Sequence, residues 1–194
     1  MIELVNIFKH FSHQNAFYGK SPKKQYVIND LNIRFEDKEI VGIVGKNSCG
    51  KSTLIKMLYG ALNPDQGKIL LDGCENNYQD NKVKFSYFSN NDRSFFWRLS
   101  LRDNLNYFSC LDNENKFTNI NENLMRELEI YEVFDTPFYK LSSGQKKKSI
   151  LFRGLLKKPS VLLFDEFTQS IDIFSKIKIE DYIKQLINLD SIKN

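Results

Sequence analysis

Two glycines enclose a short polar loop that directly follows an apolar run. Gly45 and Gly50 are separated by four residues and lead into Lys51 and Ser52, while residues 40–44 before them are almost wholly apolar. This order is typical of a strand, a phosphate-binding loop and the start of a helix. Glycine allows the close backbone approach that several N–H donors need to contact one phosphate. The sequence therefore predicts an α/β chain that binds phosphate at this loop.

Separate roles are predicted for the residues of this loop. The helix that starts near Gly50 contributes its positive N-terminal end. Lys51 is expected to reach the β- and γ-phosphates, and the Ser52 hydroxyl is expected to bind Mg²⁺. An ordinary glycine-containing turn is the alternative, which the complete pattern disfavours. The other residues expected at the phosphates are Gly45, Asn47, Ser48, Cys49 and Thr53.

Two adjacent carboxylates, Asp165 and Glu166, follow a short apolar run at residues 161–164. The run is typical of a buried strand, and ligands bind where the strands of a parallel sheet end. We expect Asp165 to coordinate Mg²⁺ through water and Glu166 to act as the general base that activates the attacking water. The simpler alternative is that these residues only end the strand. Together with the phosphate loop, the pair predicts hydrolysis of a nucleoside triphosphate.

The pentapeptide Leu-Ser-Ser-Gly-Gln at residues 141–145 lies between these motifs and resembles the signature of ABC ATPases. The resemblance covers nearly the whole chain. It implies a P-loop NTPase fold of the RecA-like type, with a helical subdomain and an N-terminal antiparallel β portion. It also implies that ATP and Mg²⁺ are bound between the phosphate loop of one copy and the signature of a second copy. The signature residues at that nucleotide would be Ser142, Ser143, Gly144 and Gln145. Taken alone, the pentapeptide is equally typical of a helix cap.

Three further positions match the resemblance with some departures. Phe11 stands where the family places an adenine-stacking tyrosine, but Phe11 could also be core, with Tyr18 or Tyr26 stacking on the base instead. Asn90 stands where a glutamine usually contacts Mg²⁺ or water, and the shorter asparagine puts that contact in doubt. Asp172 resembles the aspartate of the D-loop, which communicates across the dimer interface.

One feature implied by the resemblance is missing from this sequence. In the family a strand after the catalytic glutamate carries a switch histidine, but the two histidines here are His10 and His13. The expectation is one ABC ATPase domain over residues 1–194, incomplete at the C-terminus, with a helical subdomain at about residues 90–140. Loss of that strand would leave backbone groups unpaired within the sheet.

Composition disfavours several other classes of protein. The formal charge of +4 is mild, and the lysines at residues 146–148 and 157–158 are expected to form a solvated helix face, so no nucleic-acid partner is predicted. No apolar run is long enough to cross a bilayer, and the N-terminus lacks a signal-peptide pattern. The three cysteines lack the spacing of metal ligands, so neither zinc nor a disulfide framework is predicted. A cytoplasmic location is expected.

Consecutive aromatic residues, Phe95, Phe96 and Trp97, stand beside Arg98. Such a run is typical either of core or of a docking surface. The resemblance favours docking to a transmembrane permease, and the local sequence looks most like ATP-binding subunits of bacterial exporters. The resulting hypothesis is an ATPase subunit that forms a homodimer on the inner face of the cell membrane. It drives transport by a separate permease, and the direction of that transport is expected to be export. The alternative is a regulatory or degenerate truncated ABC protein that binds ATP without hydrolysing it.

Overall fold

The computed structural model describes residues 1–13, 23–75, 85–90, 94–111, 122–169 and 171–192. The chain divides into two compact units, Met1–Phe85 (unit 1) and Ser86–Asn194 (unit 2). Helices and strands are mixed in the order expected of an α/β chain. The elements are β1 (Ile2–His13), β2 (Lys23–Phe35), α1 (Lys51–Tyr59), β3 (Gln66–Leu71), β4 (Cys74–Glu75), β5 (Phe85–Ser89), α2 (Leu101–Leu111), α3 (Glu122–Glu127), α4 (Ser143–Leu156), β6 (Val161–Asp165) and α5 (Ile173–Ile192).

Unit 1 contains an antiparallel sheet in the strand order β2-β1-β3-β4. β1 lies between β2 and β3, so that Leu4 is opposite Ile33 on one side and Ile69 on the other. Side chains of a strand alternate between its two faces, which is why Ile2 and Leu4 are buried while Glu3 between them is less so. This sheet is the predicted N-terminal antiparallel β portion.

Helix α1 begins where the phosphate-loop pattern predicts a helix. Gly50 precedes it and Gly60 follows it, and both have left-handed backbone. A left-handed glycine after the last turn is a common helix stop. The helix buries the apolar side chains of Leu54, Ile55, Met57 and Leu58.

The strand predicted at residues 40–44 is not formed. These residues have no strand assignment, and Ile40 and Val44 are 65% and 95% exposed. An apolar run becomes a strand only where neighbouring strands satisfy its backbone and cover its side chains. The sheet of unit 1 joins β1 to β4 and does not include this run. The prediction from apolar composition was therefore wrong here.

Unit 2 combines helices α2 to α5 with a two-stranded sheet in which β5 pairs with β6. Aromatic rings form much of its core. Phe88 of β5 stacks on Phe164 of β6 with ring centres 4.9 Å apart, and Phe95 stacks on Phe138 at 4.5 Å. A Cβ on Gly154 of α4 would lie 2.4 Å from the Phe88 ring. Glycine therefore allows α4 to pack directly against β5.

Helices α2 and α3 lie between Asn90 and the signature. Leu101, Leu105 and Phe108 are buried at helical spacing along α2, as expected for one apolar face. None of the helices that the structure describes is long and apolar enough to span a membrane. The grouping of this region into a subdomain at about residues 90–140 stays a prediction.

Candidate functional site

The phosphate loop of unit 1 runs into the first turn of α1. Gly50 has a φ of 101°, and no side-chain hydrogen bond caps α1 from this position. A Cβ on Gly50 would lie 2.8 Å from Cγ1 of Val27, so both the backbone conformation and the available space require glycine. The loop thus ends at a helix N-terminus whose N-cap supplies no side-chain acceptor, where an anion is favoured.

The Lys51 ammonium group turns back onto the loop. Its Nζ donates hydrogen bonds to the carbonyl oxygens of Gly45 and Lys46, both at 2.8 Å. Hydrogen bonds to charged oxygens are stronger than those to neutral carbonyls, so a phosphate can replace these acceptors. A Cβ on Gly45 would lie 2.7 Å from the Cys49 sulfur, which shows that this turn of the loop is tight. The residues present therefore fit a nucleotide phosphate.

The remaining residues of the predicted phosphate site lie in the same turn. Asn47, Ser48 and Cys49 are exposed, and Ser48 has a positive φ of 62°. Ser52 and Thr53 are partly buried in the first turn of α1. The structure thus brings the loop and the hydroxyl proposed for Mg²⁺ together, and their contact with nucleotide stays a prediction.

Phe11 and Tyr26 are both exposed, as a base-stacking ring must be. Phe11 is opposite Gln25 and Tyr26 is opposite His10 in the β1–β2 pairing. Because opposed residues share a face and adjacent residues alternate, Phe11 and Tyr26 lie on opposite faces of this ribbon. They are alternatives for the stacking role, while the third candidate, Tyr18, falls outside the described residues.

The acidic pair in unit 2 lies at the end of β6, as predicted. The Tyr87 hydroxyl donates to Oδ2 of Asp165 at 3.1 Å. Glu166 is exposed and has a positive φ of 50°. Left-handed backbone is strained for a residue with a side chain, and such strain is concentrated at functional sites. The backbone geometry is therefore compatible with the predicted role of Glu166 as general base, which stays a prediction.

Asn90 lies at the end of β5, beside this pair. Its backbone N–H donates to the carbonyl oxygen of Asp165 at 3.2 Å, and its Nδ2 donates to Oε1 of Gln169 at 3.0 Å. The side chain that is predicted to contact Mg²⁺ or water is thus held by a neighbour. Among the described residues no group of three or more His, Cys, Asp or Glu side chains could hold a metal ion. The Mg²⁺ site predicted from the sequence would take ligands from Ser52 and the phosphates, and it stays a prediction.

The signature opens α4 with a capping box. The Gln145 N–H donates to Oγ of Ser142 at 3.1 Å, and the Ser142 N–H donates to Oε1 of Gln145 at 3.0 Å. The helix-cap alternative is therefore correct as local structure. Nucleotide contacts from Ser142, Ser143, Gly144 and Gln145 stay a prediction.

Asp172 and the signature are close together in unit 2. A Cβ on Gly144 would lie 2.5 Å from Oγ of Ser175 and 3.3 Å from Oδ2 of Asp172. Oδ1 of Asp172 accepts a hydrogen bond from the Ser175 N–H at 2.8 Å. This backbone hydrogen bond holds the pKa of Asp172 below its ordinary value. Asp172 therefore caps α5 as a charged carboxylate directly beside the signature.

The lysine run after the signature is not the solvated face that was predicted. Lys147 and Lys148 are buried, with 8% and 6% of their surface exposed. Lys147 donates to the carbonyl oxygens of Ser89 and Asn90, and Lys148 donates to the Glu129 carboxylate. The sequence contained one signal of this outcome. Consecutive helix residues point about 100° apart, so one solvated face cannot hold all three lysines.

The aromatic run has a buried part and an exposed part, and docking of the exposed part stays a prediction. Phe95 is 4% exposed and belongs to the core of unit 2, whereas Trp97 is 60% exposed. Asn104 of α2 holds Phe96, which lies between Phe95 and Trp97. Its side chain accepts a hydrogen bond from the Phe96 N–H and donates one to the Phe96 carbonyl oxygen. An aromatic surface remains exposed, which we define as Phe96, Trp97, Leu99, Tyr107 and Tyr139.

Comparison with known proteins identifies the family. Residues 28–169 match the family described as ABC transporter. The chain belongs to the ABC transporter ATPase family. ATP hydrolysis is the activity of this family, and ATP with Mg²⁺ is its cofactor. The predictions of an ATPase and of these cofactors are confirmed at this level.

Two relatives illustrate the range of the family. The ABC transporter ATP-binding protein NatA of Bacillus subtilis is 30% identical over 170 residues, which are 84% of this chain and 69% of NatA. The zinc import ATP-binding protein ZnuC of Buchnera aphidicola is 29% identical over 196 residues, covering 96% of this chain and 69% of ZnuC.

Two solved structures show the same fold. The chain resembles cbiO1 of Clostridium perfringens, part of the ABC transporter complex cbiONQ, with a TM-score of 0.75 at 22% identity over 98% of this chain and 73% of cbiO1. It resembles the ATP-binding cassette MJ0796, a dimeric post-hydrolysis state bound to ADP and Pi, with a TM-score of 0.77 at 19% identity over 98% of this chain and 84% of that one. The predicted P-loop NTPase fold is confirmed.

Proposed function

We propose that the chain is the ATP-binding subunit of an ABC transporter and that ATP binding and hydrolysis by two copies drive transport through a separate membrane permease. The observation that carries this proposal is the phosphate loop. Its tight glycine turn, the N-terminus of α1 and the Lys51 ammonium group converge where a triphosphate would bind. A phosphate-binding loop of this kind is expected in a protein that binds and hydrolyses a nucleotide.

The residues divide the chemistry among them. Lys51 neutralises the β- and γ-phosphates, and the hydroxyl of Ser52 with the carboxylate of Asp165 would hold Mg²⁺, which supplies charge stabilisation in phosphoryl transfer. Glu166 accepts the proton of the attacking water. Phe11 stacks on the adenine, and Asn90 contacts Mg²⁺ or the attacking water.

A second copy completes the cycle in this proposal. Its residues Ser142 to Gln145 cover the nucleotide that is bound to the phosphate loop of the first copy, and Asp172 communicates between the two. Support comes from MJ0796, whose structure is described as dimeric and bound to ADP and Pi. Hydrolysis then lets the two copies separate.

The permease is proposed to bind the aromatic surface. Its rings are exposed, and aromatic side chains beside cations are the residues that contribute most to protein interfaces. The Lys146 ammonium lies 5.1 Å from the centre of the Trp97 ring. This binding would place the subunit at the inner face of the membrane. The relative ZnuC is named for import, so the relatives do not favour export, which the local sequence alone suggested.

ATP turnover by the full chain tests the proposal. We expect saturable ATP hydrolysis that requires Mg²⁺ and increases when the cognate permease is added in lipid vesicles. Lys51→Ala is expected to abolish nucleotide binding, because the ammonium group that is predicted to bind the β- and γ-phosphates is lost. A chain that shows no ATP binding contradicts the proposal.

A second candidate is a regulatory ABC protein that binds ATP without hydrolysing it. It is favoured by Asn90, whose short amide is already bonded to Gln169. Tight ATP binding with no turnover, alone or with a permease, would support this candidate against the first.

A further inference from the structure

Lys147 is a buried lysine beside the acidic pair to which the proposed mechanism gives no role. It lies in α4, two residues after Gln145 of the signature. Burial of a charged group is costly, and an apolar side chain of similar volume often gives equal or greater stability. Stability therefore need not account for this lysine, and the groups that its ammonium holds become informative.

The Lys147 ammonium group binds the backbone at the end of β5. Its Nζ donates hydrogen bonds to the carbonyl oxygens of Ser89 at 3.2 Å and Asn90 at 2.9 Å. The same Nζ lies 4.8 Å from the centre of the Phe167 ring, within the range of a cation–π contact. One cation of the signature helix thus contacts both the end of β5 and the residue after Glu166.

Asn90 passes this connection on to Asp165. Its N–H donates to the Asp165 carbonyl oxygen, and its side-chain amide donates to Gln169. The hydroxyl of Tyr87, also in β5, donates to the carboxylate of Asp165. The hydrogen bonds that start at Lys147 therefore reach Asn90 and, through its N–H, Asp165, which the proposed function assigns to the metal.

We propose that Lys147 is a positioning residue that fixes Asn90 against Asp165, so that the signature helix and the hydrolytic residues of one chain move together. The inference rests on the proposed function, because it assigns Lys147 to control of that ATPase site. A displacement of α4 from β5 stretches the bonds from Lys147 to Ser89 and Asn90. A shift of the signature helix therefore also shifts Asn90 within unit 2.

Neighbouring lysines of the same helix provide matched variants. Lys147→Met removes the ammonium and keeps an unbranched side chain that is shorter by that one atom, while Lys147→Arg keeps the charge. Lys148→Met is the control, because Lys148 is equally buried in α4 but binds Glu129 and not β5. Its loss is expected to lower the melting temperature without changing turnover per folded molecule.

Turnover and amide exchange are the two measurements, made on the full chain. We expect Lys147→Met to lower kcat by about tenfold while KM for ATP stays within about twofold, since misplacement of catalytic groups acts on the chemical step. Lys147→Arg is expected to restore most of this loss. Amide hydrogen exchange in residues 86–90 is expected to accelerate in Lys147→Met and to stay unchanged in Lys148→Met.

The wild-type result separates the two levels of the proposal. A wild type that binds no ATP refutes the proposed function, and the inference with it. If the wild type hydrolyses ATP, a Lys147→Met variant with parental kcat overturns the inference, even if it melts as early as Lys148→Met, because Lys147 then contributes only stability. If the wild type binds ATP without turnover, unchanged exchange of residues 86–90 in Lys147→Met overturns it, and accelerated exchange supports it.

Discussion

Replacing Gly50 by alanine tests the geometry of the phosphate loop. The φ of 101° is disfavoured for any residue with a side chain, and the new Cβ would lie 2.8 Å from Cγ1 of Val27 and 3.1 Å from the Val27 carbonyl oxygen. The left-handed backbone costs about 1 to 2 kcal/mol. Displacing the crowded atoms adds about 1 to 3 kcal/mol. The loop must therefore move, or unit 1 must lose stability.

The free-energy cost of Gly50→Ala is expected to lower both the affinity for ATP and the melting temperature. If about 2 kcal/mol of it falls on the conformation that binds phosphate, the Kd for ATP rises about thirtyfold. Isothermal titration with ATP and Mg²⁺, together with thermal unfolding of the same samples, measures both effects.

Two other glycines separate strain from crowding. Gly73 has a φ of 80° with no atom near its Cβ position, so Gly73→Ala tests backbone strain alone. Gly42 has open space and no positive φ, so Gly42→Ala tests neither. We expect the loss of stability to be largest for Gly50→Ala and smallest for Gly42→Ala. A Gly50→Ala chain that melts and binds ATP as Gly42→Ala does would refute the reasoning.

Three further predictions concern catalysis, access and pH. Glu166→Gln is expected to retain ATP binding and to accumulate as an ATP-bound dimer in size-exclusion chromatography, whereas hydrolysis at the parental rate would rule out Glu166 as the base. ATP is expected to protect exposed Cys49 from alkylation, read by mass spectrometry, and equal labelling with and without ATP would argue against phosphate binding at the loop. Hydrogen bonds from Lys148 and Lys178 hold the pKa of Glu129 below its ordinary value of 4.5. These hydrogen bonds therefore stabilise the folded chain at pH values above 4.5, and this stabilisation is lost as the pH falls through the lower pKa of the folded state. Acid unfolding is therefore expected to remove more stability from the wild type than from Glu129→Gln, and equal losses would contradict this assignment.

Features set by neighbouring residues were predictable from the sequence. The loop at Gly50, the start of α1 and the capping box of Ser142 and Gln145 follow from local patterns of glycine, serine and glutamine. The strand end at Asp165 follows from an apolar run that stops at a carboxylate. These elements need little information about the rest of the chain.

Features set by distant partners were not predictable. Residues 40–44 are apolar enough for a strand, but pairing depends on which other strands are available. Lys147 is charged and yet buried, because carbonyl oxygens from β5 receive its hydrogen bonds. Phe95 and Trp97 are similar in sequence context, but only Phe95 meets aromatic partners in the core. Burial of each depends on tertiary contacts, which composition does not contain.

A crystal structure of the full chain with Mg²⁺ and a non-hydrolysable ATP analogue tests the central claim most directly. We predict that the phosphates contact the backbone N–H groups of residues 45–50 and that the Lys51 ammonium leaves the carbonyl oxygens of Gly45 and Lys46, which it binds at 2.8 Å, to bind the phosphates. An analogue bound elsewhere, with Lys51 still bonded to both carbonyl oxygens, would contradict the account.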